Sequence, residues 1–394
     1  MTSPASANKL NNEGKSSLFQ VFQEKIGPAA TALFLAALAV EAVVVVAEKS
    51  IGSIPYESLI FKATFAASLL RMLTVRYKKK ELPPIAVMLL LGVLSWRLGG
   101  HNEYLRAVAL IAACRGLDVK KILRYVLWGQ LAACIVLVLL SVFGIFGKVS
   151  ITADFGHGME VRYCLGLGHP NALHCMACML LLLALYLYGE TMPKLALAGL
   201  FAGNVLLYLL TGSDSGLLTG SAAILLTAAS RAKAAQKGLN TAMIAGEAVI
   251  AGGICFSLIT AVFGGDVSII RRLDGILTGR VASLWDTTYL EGTFWTWGLF
   301  GRRGNEAMFD LGWVRLFYWY GVIPAAAVIV LVFLILRRVR RDRDAAAYIF
   351  ILCCCVYTVF EAHLVSVYLM RNYLLLVAAM QLPRICGEER ELIQ

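Results

Sequence analysis

Three stretches of this chain gather side chains suited to chemistry on an anion. The first is Arg162-Tyr-Cys-Leu-Gly-Leu-Gly-His169-Pro-Asn171. Pro170 biases His169 to extended geometry and opens a helix, so Asn171 falls in that helix's first turn. A guanidinium, an imidazole and a helix N-terminus together make an anion site or an acid/base site. The second is Arg280. Over 268–285, at about 100° per residue, Ile269, Leu273, Ile276, Leu277, Val281 and Leu284 share one helical face, and Arg280 falls inside it. A charge on an apolar face is costly unless it meets an anion or a carboxylate, or snorkels along a membrane surface. Gly275 and Gly279 weaken that helix. The third is Gly301-Arg302-Arg303-Gly304, with Asp310 following. Guanidinium pairs hold phosphate through bidentate donors. Tyr289, Phe294, Trp295, Trp297 and Phe300 come just before it. Such rings form an interfacial belt, or offer faces on which a sugar stacks. The turn Thr211-Gly-Ser-Asp-Ser-Gly216 adds a carboxylate, Asp214.

The elements that must position these residues are membrane spans. Of 394 residues, 59% are hydrophobic and 15% charged, against about 25% charged in soluble chains. The apolar residues fall in blocks long enough to cross a hydrocarbon core of roughly 30 Å. Twelve spans are expected, at 28–47, 58–75, 85–99, 103–115, 125–147, 170–188, 195–211, 216–229, 241–263, 313–336, 345–362 and 364–382. The fold class this predicts is an all-α polytopic membrane protein with one transmembrane domain over 28–382, an N-terminal tail 1–27 and a C-terminal tail 383–394. The net charge of +11 does not call for nucleic acid, because the basic residues sit in short loops. Arg76 to Lys80, Arg115 to Arg124, Arg231 to Lys237 and Arg337 to Arg343 alternate through the spans and share one side, which the positive-inside rule makes cytoplasmic, with both termini. Loops 148–169 and 264–312 then lie outside, the longer one partly helical. No cleaved signal peptide is read at the N-terminus. The ten cysteines fall mostly within spans and read as small hydrophobes, with no metal site or disulfide. Glu41, Lys62, Arg71, Arg97, Arg106, Glu247, Glu361 and Arg371 lie in or at the ends of spans, where charges pair between helices, snorkel, or face a cavity.

The segment from Arg162 to Asn171 resembles the R-x-S-L-G-F-x-H-P-N stretch of polysaccharide polymerases, which belong with the O-antigen polymerases and O-antigen ligases. Further likenesses follow in order: Gly279-Arg280, Tyr289-Leu290, Gly298-Leu-Phe-Gly301, Asp310-Leu-Gly-Trp-Val314 and Tyr320-Gly-Val-Ile323. One departure is Asp214, where the family often has an arginine. The resemblance implies a fold like GT-C membrane glycosyltransferases and the joining of undecaprenyl-pyrophosphate-linked oligosaccharides on the outer face of a bacterial inner membrane. The lipid pyrophosphate is its own leaving group, so no cofactor, metal or nucleotide loop is implied. The resemblance gives Arg162 and Arg280 the pyrophosphate, with Arg302 or Arg303 assisting. His169 activates or positions the acceptor, Asp310 and Asp214 are rival bases, and Asn171 and Tyr289 orient their neighbours. The implied partners are the lipid-linked oligosaccharide, membrane lipids and, as an open alternative, a chain-length regulator. A ligase that passes the glycan to another acceptor, and a transporter or flippase with no chemistry, are the rival readings.

Overall fold

A computed structural model describes residues 4–52, 54–155, 158–264, 270, 272, 274, 279–285, 290–362 and 364–387. Its helices are α1 (Pro4–Ile51), α2 (Glu57–Thr74), α3 (Leu82–Gly99), α4 (Glu103–Ala113) and α5 (Val119–Val142). A hairpin of β1 (Ser150–Asp154) and β2 (Met159–Tyr163) follows, antiparallel, with Ile151 opposite Arg162. Then come α6 (Pro170–Tyr188), α7 (Lys194–Thr211), α8 (Asp214–Ser230), α9 (Lys233–Phe263), the single turn α10 (Ala282–Trp285), α11 (Gly312–Tyr320), α12 (Val322–Arg341), α13 (Ala345–Phe360) and α14 (Leu374–Ile385).

The chain is a mostly helical membrane protein. Among the described residues, seven helices are long and apolar enough to cross a membrane: Gln23–Ile51, Leu82–Gly99, Val119–Val142, Pro170–Tyr188, Lys194–Thr211, Lys237–Phe263 and Val322–Arg341. The other five expected spans are shorter or more charged. Helix α2 carries Glu57, Lys62 and Arg71 within 18 residues. Helix α4 has 11 residues, about 16 Å of rise. Helix α13 has 16 and α14 has 12.

Three boundaries differ from the sequence expectation, each for a physical reason. The stretch 1–27, expected as a tail, is helical from Pro4 and continues unbroken into the first span. The span expected at 313–336 is split at Gly321. That glycine has a left-handed φ, and a Cβ on it would collide with the Gly301 backbone nitrogen. The segment 298–301 lodges in the break, where Gly298 and Leu299 carbonyls accept the Val322 and Ile323 amides at 2.9 and 3.0 Å. The span expected at 364–382 is helical only from Leu374. Residues 361, 362 and 364–373 form an irregular strap with one 3-10 turn, Leu369–Arg371.

Packing brings the pieces together. Helix α1 packs on α2 and α5, α3 on α4, α6 with α7 and α8, and α13 on α6, α8 and α9. Helix α14 packs on α4, α5 and α12. The fully buried side chains concentrate in α6, α11, α13 and α14, including Trp313, Tyr318, Trp319 and Tyr357. Among the interior charges expected from sequence, Glu41, Arg106 and Glu247 pair between helices. Arg106 pairs with Glu41 at 2.9 Å with both side chains nearly fully buried, and Arg340 pairs with Glu247 at 2.8 Å.

Candidate functional site

The first wall of the site is local backbone. After β2 the chain turns through Cys164–Gly168, where the Val149 carbonyl accepts the Cys164 and Leu165 amides and the Lys148 carbonyl accepts that of Gly166. Gly168 takes a left-handed conformation, and a Cβ on it would collide with the Lys49 carbonyl oxygen. Glycine is therefore what lets this turn press against the end of α1. His169 follows with φ −141°, and Pro170 starts α6, as the sequence predicts. The His169 Nδ1 accepts the Asn171 backbone N–H at 3.2 Å and caps the helix. An Nδ1 used as acceptor puts the ring proton on Nε2. The chain packed around the ring desolvates the imidazolium, and Arg162 and Lys49 repel it further, so the pKa of His169 falls below the usual histidine value despite the pull of Asp310. At neutral pH His169 therefore presents an N–H donor, not a lone pair.

Arg162 leans back from this turn. Its guanidinium pairs with Glu160 at 2.9 Å, donates to the Gly212 carbonyl at 3.3 Å and covers the Phe155 ring at 4.2 Å. Phe155 in turn meets His169 edge-on at 6.1 Å. Arg162 thus ties the hairpin to the α7–α8 turn. Asp214 begins α8 in that turn, and its side chain is exposed.

The second wall centres on Arg280. Of the long helix expected over 268–285, residues 268, 269, 271, 273 and 275–278 lie outside the described residues, and so does Tyr289. Around Arg280 the chain turns. Gly279 has a left-handed φ, and the buried Asp274 carboxylate accepts the Val281 and Ala282 amides at 2.7 and 2.8 Å. The expected helix is therefore broken at 279–281, and Asp274 caps the turn α10 that follows. Arg280 Nη2 donates to Glu361 Oε1 at 2.8 Å, and its Nε lies 3.7 Å from Asp310 Oδ2. The apolar-face charge meets carboxylates, which is one of the outcomes its position allowed. Ser215 Oγ also donates to Glu361 at 3.0 Å, so α8 and the 279–281 turn converge on one carboxylate.

The third wall is the strap. It carries Glu361, Arg371 and Tyr373, and helices from across the fold hold it. Arg106 of α4 donates to the Val367 carbonyl at 2.9 Å, and Gln130 of α5 donates to the Met370 carbonyl at 3.3 Å. Tyr373 bonds Gln130, and Tyr368 bonds Glu57 of α2. Arg371 pairs with Glu48 of α1 at 2.8 Å, and Lys49 contacts the same carboxylate at 3.2 Å.

These walls enclose a cavity of about 200 Å³ lined by Lys49, Asn171, Cys175, Asp310, Arg315, Glu361, Arg371 and Tyr373 among others. The amino end of α6 opens into it through Asn171, adding a partial positive charge. Leu316 and Tyr320 of α11, with Tyr104, Val108, Leu369 and Leu375, line a second cavity that is almost wholly apolar. Arg302 and Arg303 belong to neither. Both are exposed, and Arg303 donates to the Arg97 carbonyl at 3.3 Å beside a separate surface hollow with Trp96 and His101. Among the described residues, no group of three or more His, Cys, Asp or Glu is placed to hold a metal.

Of the residues expected from sequence, Asn171 and Asp310 line the cavity, Arg280 and His169 touch its lining residues from outside, and Arg162 buttresses the turn behind His169. Lys49 and Arg315 are cavity residues that motif reading misses. Glu361 and Arg371 show in the sequence only as interior charges. Their signal was the cost of an ion inside a span, which marks a residue without naming its partner. Compared with known proteins, the chain matches no family model, no curated protein and no solved structure.

Proposed function

We propose that this protein is a membrane glycosyltransferase of the polysaccharide-polymerase type, acting on oligosaccharides carried by a lipid pyrophosphate. The observation that carries the reading is the cavity itself. A chamber within the helical fold with three cationic side chains, a helix amino end and two carboxylates on its wall suits a lipid-borne diphosphate and the transfer of its sugar. The neighbouring apolar cavity gives room for part of the lipid chain.

In this reading the donor's pyrophosphate lies between Lys49, Arg371 and the amino end of α6. The acceptor hydroxyl oxygen attacks the anomeric carbon, and the bond from that carbon to the pyrophosphate oxygen breaks. The electron pair leaves on the pyrophosphate, which the cations stabilise. Asp310 faces the cavity and takes the hydroxyl proton. Asp214 is turned out to solvent and His169 has its Nδ1 lone pair engaged. His169 therefore positions, donating from Nε2, and is not the base. Arg280 holds Asp310 and Glu361 in place. The fold is read as GT-C-like with twelve crossings, counting the short and broken helices, both termini in the cytoplasm and the cavity at the outer face of a bacterial inner membrane.

The test is reconstitution of the purified full chain with a lipid-pyrophosphate-linked repeat unit and no nucleotide sugar. A ladder of glycans supports the polymerase. A single transfer that requires an added lipid or protein acceptor replaces it with a ligase. No transfer with either acceptor, together with movement of the lipid-linked unit across a vesicle membrane, replaces it with a transporter.

A further inference from the structure

The charges around the cavity do not cancel. Four cations, Lys49, Arg280, Arg315 and Arg371, meet three carboxylates, Glu48, Asp310 and Glu361. Glu48 serves Lys49 and Arg371, while Glu361 and Asp310 serve Arg280. Arg315 is left over. Its residue is 8% exposed, and among the described residues no carboxylate lies within ion-pair distance of its guanidinium. Its Nη2 donates to the Phe309 carbonyl, while its Nε is buried with no hydrogen-bond partner among the described residues. The guanidinium is held between two rings, 5.5 Å from the Phe309 centroid and 5.2 Å from that of Trp319, and it borders the cavity.

A buried ion without a counter-charge destabilises a folded protein, and a fold tolerates that at a place where a ligand supplies the missing charge. The ring clamp matters too, because it fixes the fork before any ligand arrives, and a preorganised donor loses less entropy on binding.

Resting on the proposed function, we infer that Arg315 is the residue that recognises the diphosphate of the lipid-linked donor, its fork spanning oxygens of both phosphates, and that this residue distinguishes a lipid diphosphate from a lipid monophosphate. The role falls to a guanidinium inside the helical bundle, ahead of the loop arginines Arg162, Arg302 and Arg303.

The test uses the full chain in detergent with farnesyl diphosphate, farnesyl monophosphate and inorganic pyrophosphate as probes, read by thermal shift and equilibrium binding. The parent protein should bind farnesyl diphosphate more tightly than the monophosphate. Arg315→Gln should weaken diphosphate binding by about tenfold or more, as loss of a charged hydrogen-bond donor does, and bring the two lipids to similar affinity. Its unliganded melting temperature should stay level with the parent's or rise, since the unpaired charge is gone. Arg315→Lys keeps the charge without the fork, so it should retain binding but lose part of the preference for two phosphates. Arg315→Gln that binds and discriminates like the parent overturns the inference alone. Should Arg315→Gln fail to fold, Arg315→Lys decides, and unchanged affinity and preference there overturn it equally. A parent protein that binds inorganic pyrophosphate but no farnesyl phosphate leaves the anion site without its lipid and overturns the inference. A parent protein that binds no probe removes the proposed function along with it.

Discussion

Two segments deliver polar groups to the cavity by opposite means. The turn 164–171 does it with backbone: a hairpin end, glycines in left-handed conformation, and a proline that starts α6 with His169 as its cap. The strap does it with side chains contributed from α1, α2, α4 and α5. The turn is specified by residues that are neighbours in sequence. The strap is specified by residues between 240 and 323 positions away. The difference teaches where each is fragile. A local turn fails through its own glycine, whereas a strap fails through a partner that never touches the cavity.

The largest effect should come from Arg106→Ala. It strands Glu41, which is 3% exposed, and frees the Val367 carbonyl. Removing one member of a buried pair costs about 3–5 kcal/mol. Thermal unfolding in detergent should shift down steeply, and amide exchange over 361–373 should speed up while 164–171 stays protected. Equal loss of protection in both segments would show that strap and turn are one unit, and the contrast drawn above would fail.

Gly168→Ala probes the other side of the comparison with a smaller effect. Backbone strain at a left-handed site costs on the order of 1–3 kcal/mol, and the new methyl displaces the turn from the Lys49 carbonyl. Faster exchange should stay confined to 164–171 and the end of α1, and glycan transfer should drop further than stability does. Transfer at the parent's rate would mean that the contact with α1 is dispensable for the site.

The smallest effect belongs to Arg302→Ala and Arg303→Ala. Exposed ionic contacts contribute about 0–1 kcal/mol, so transfer should change by no more than about fivefold, with unchanged melting temperature. Loss of transfer comparable to that of an Arg280 variant would return Arg302 and Arg303 to the centre of the site.

Much of the first wall was legible. His169-Pro170-Asn171 reads as a helix start because proline's fixed φ and the restriction on its predecessor are rules about adjacent residues. Arg280 was legible as a charge on an apolar face that needed a partner. The span count was less so. Helix α4, the break at Gly321 and the strap all hide inside apolar composition. Hydropathy records what a segment prefers to be surrounded by, not whether its backbone bonds to itself or to a distant side chain. Residues 364–373 are apolar enough to continue a span, yet Arg106 and Gln130 claim their carbonyls.

The sequence by itself determined that this is a helical membrane protein, that α6 begins at Pro170, and that interior charges such as Glu41 and Glu361 must find partners. Helix-start chemistry and the cost of moving a segment into hydrocarbon are both local or additive. Only the tertiary structure decided that Arg280 takes Glu361, 81 residues on, that Arg162 buttresses instead of lining the cavity, and that Arg315 is left without an ion-pair carboxylate among the described residues. Charge compensation is a property of the completed arrangement: which ion remains unpaired depends on how every other pair has been made.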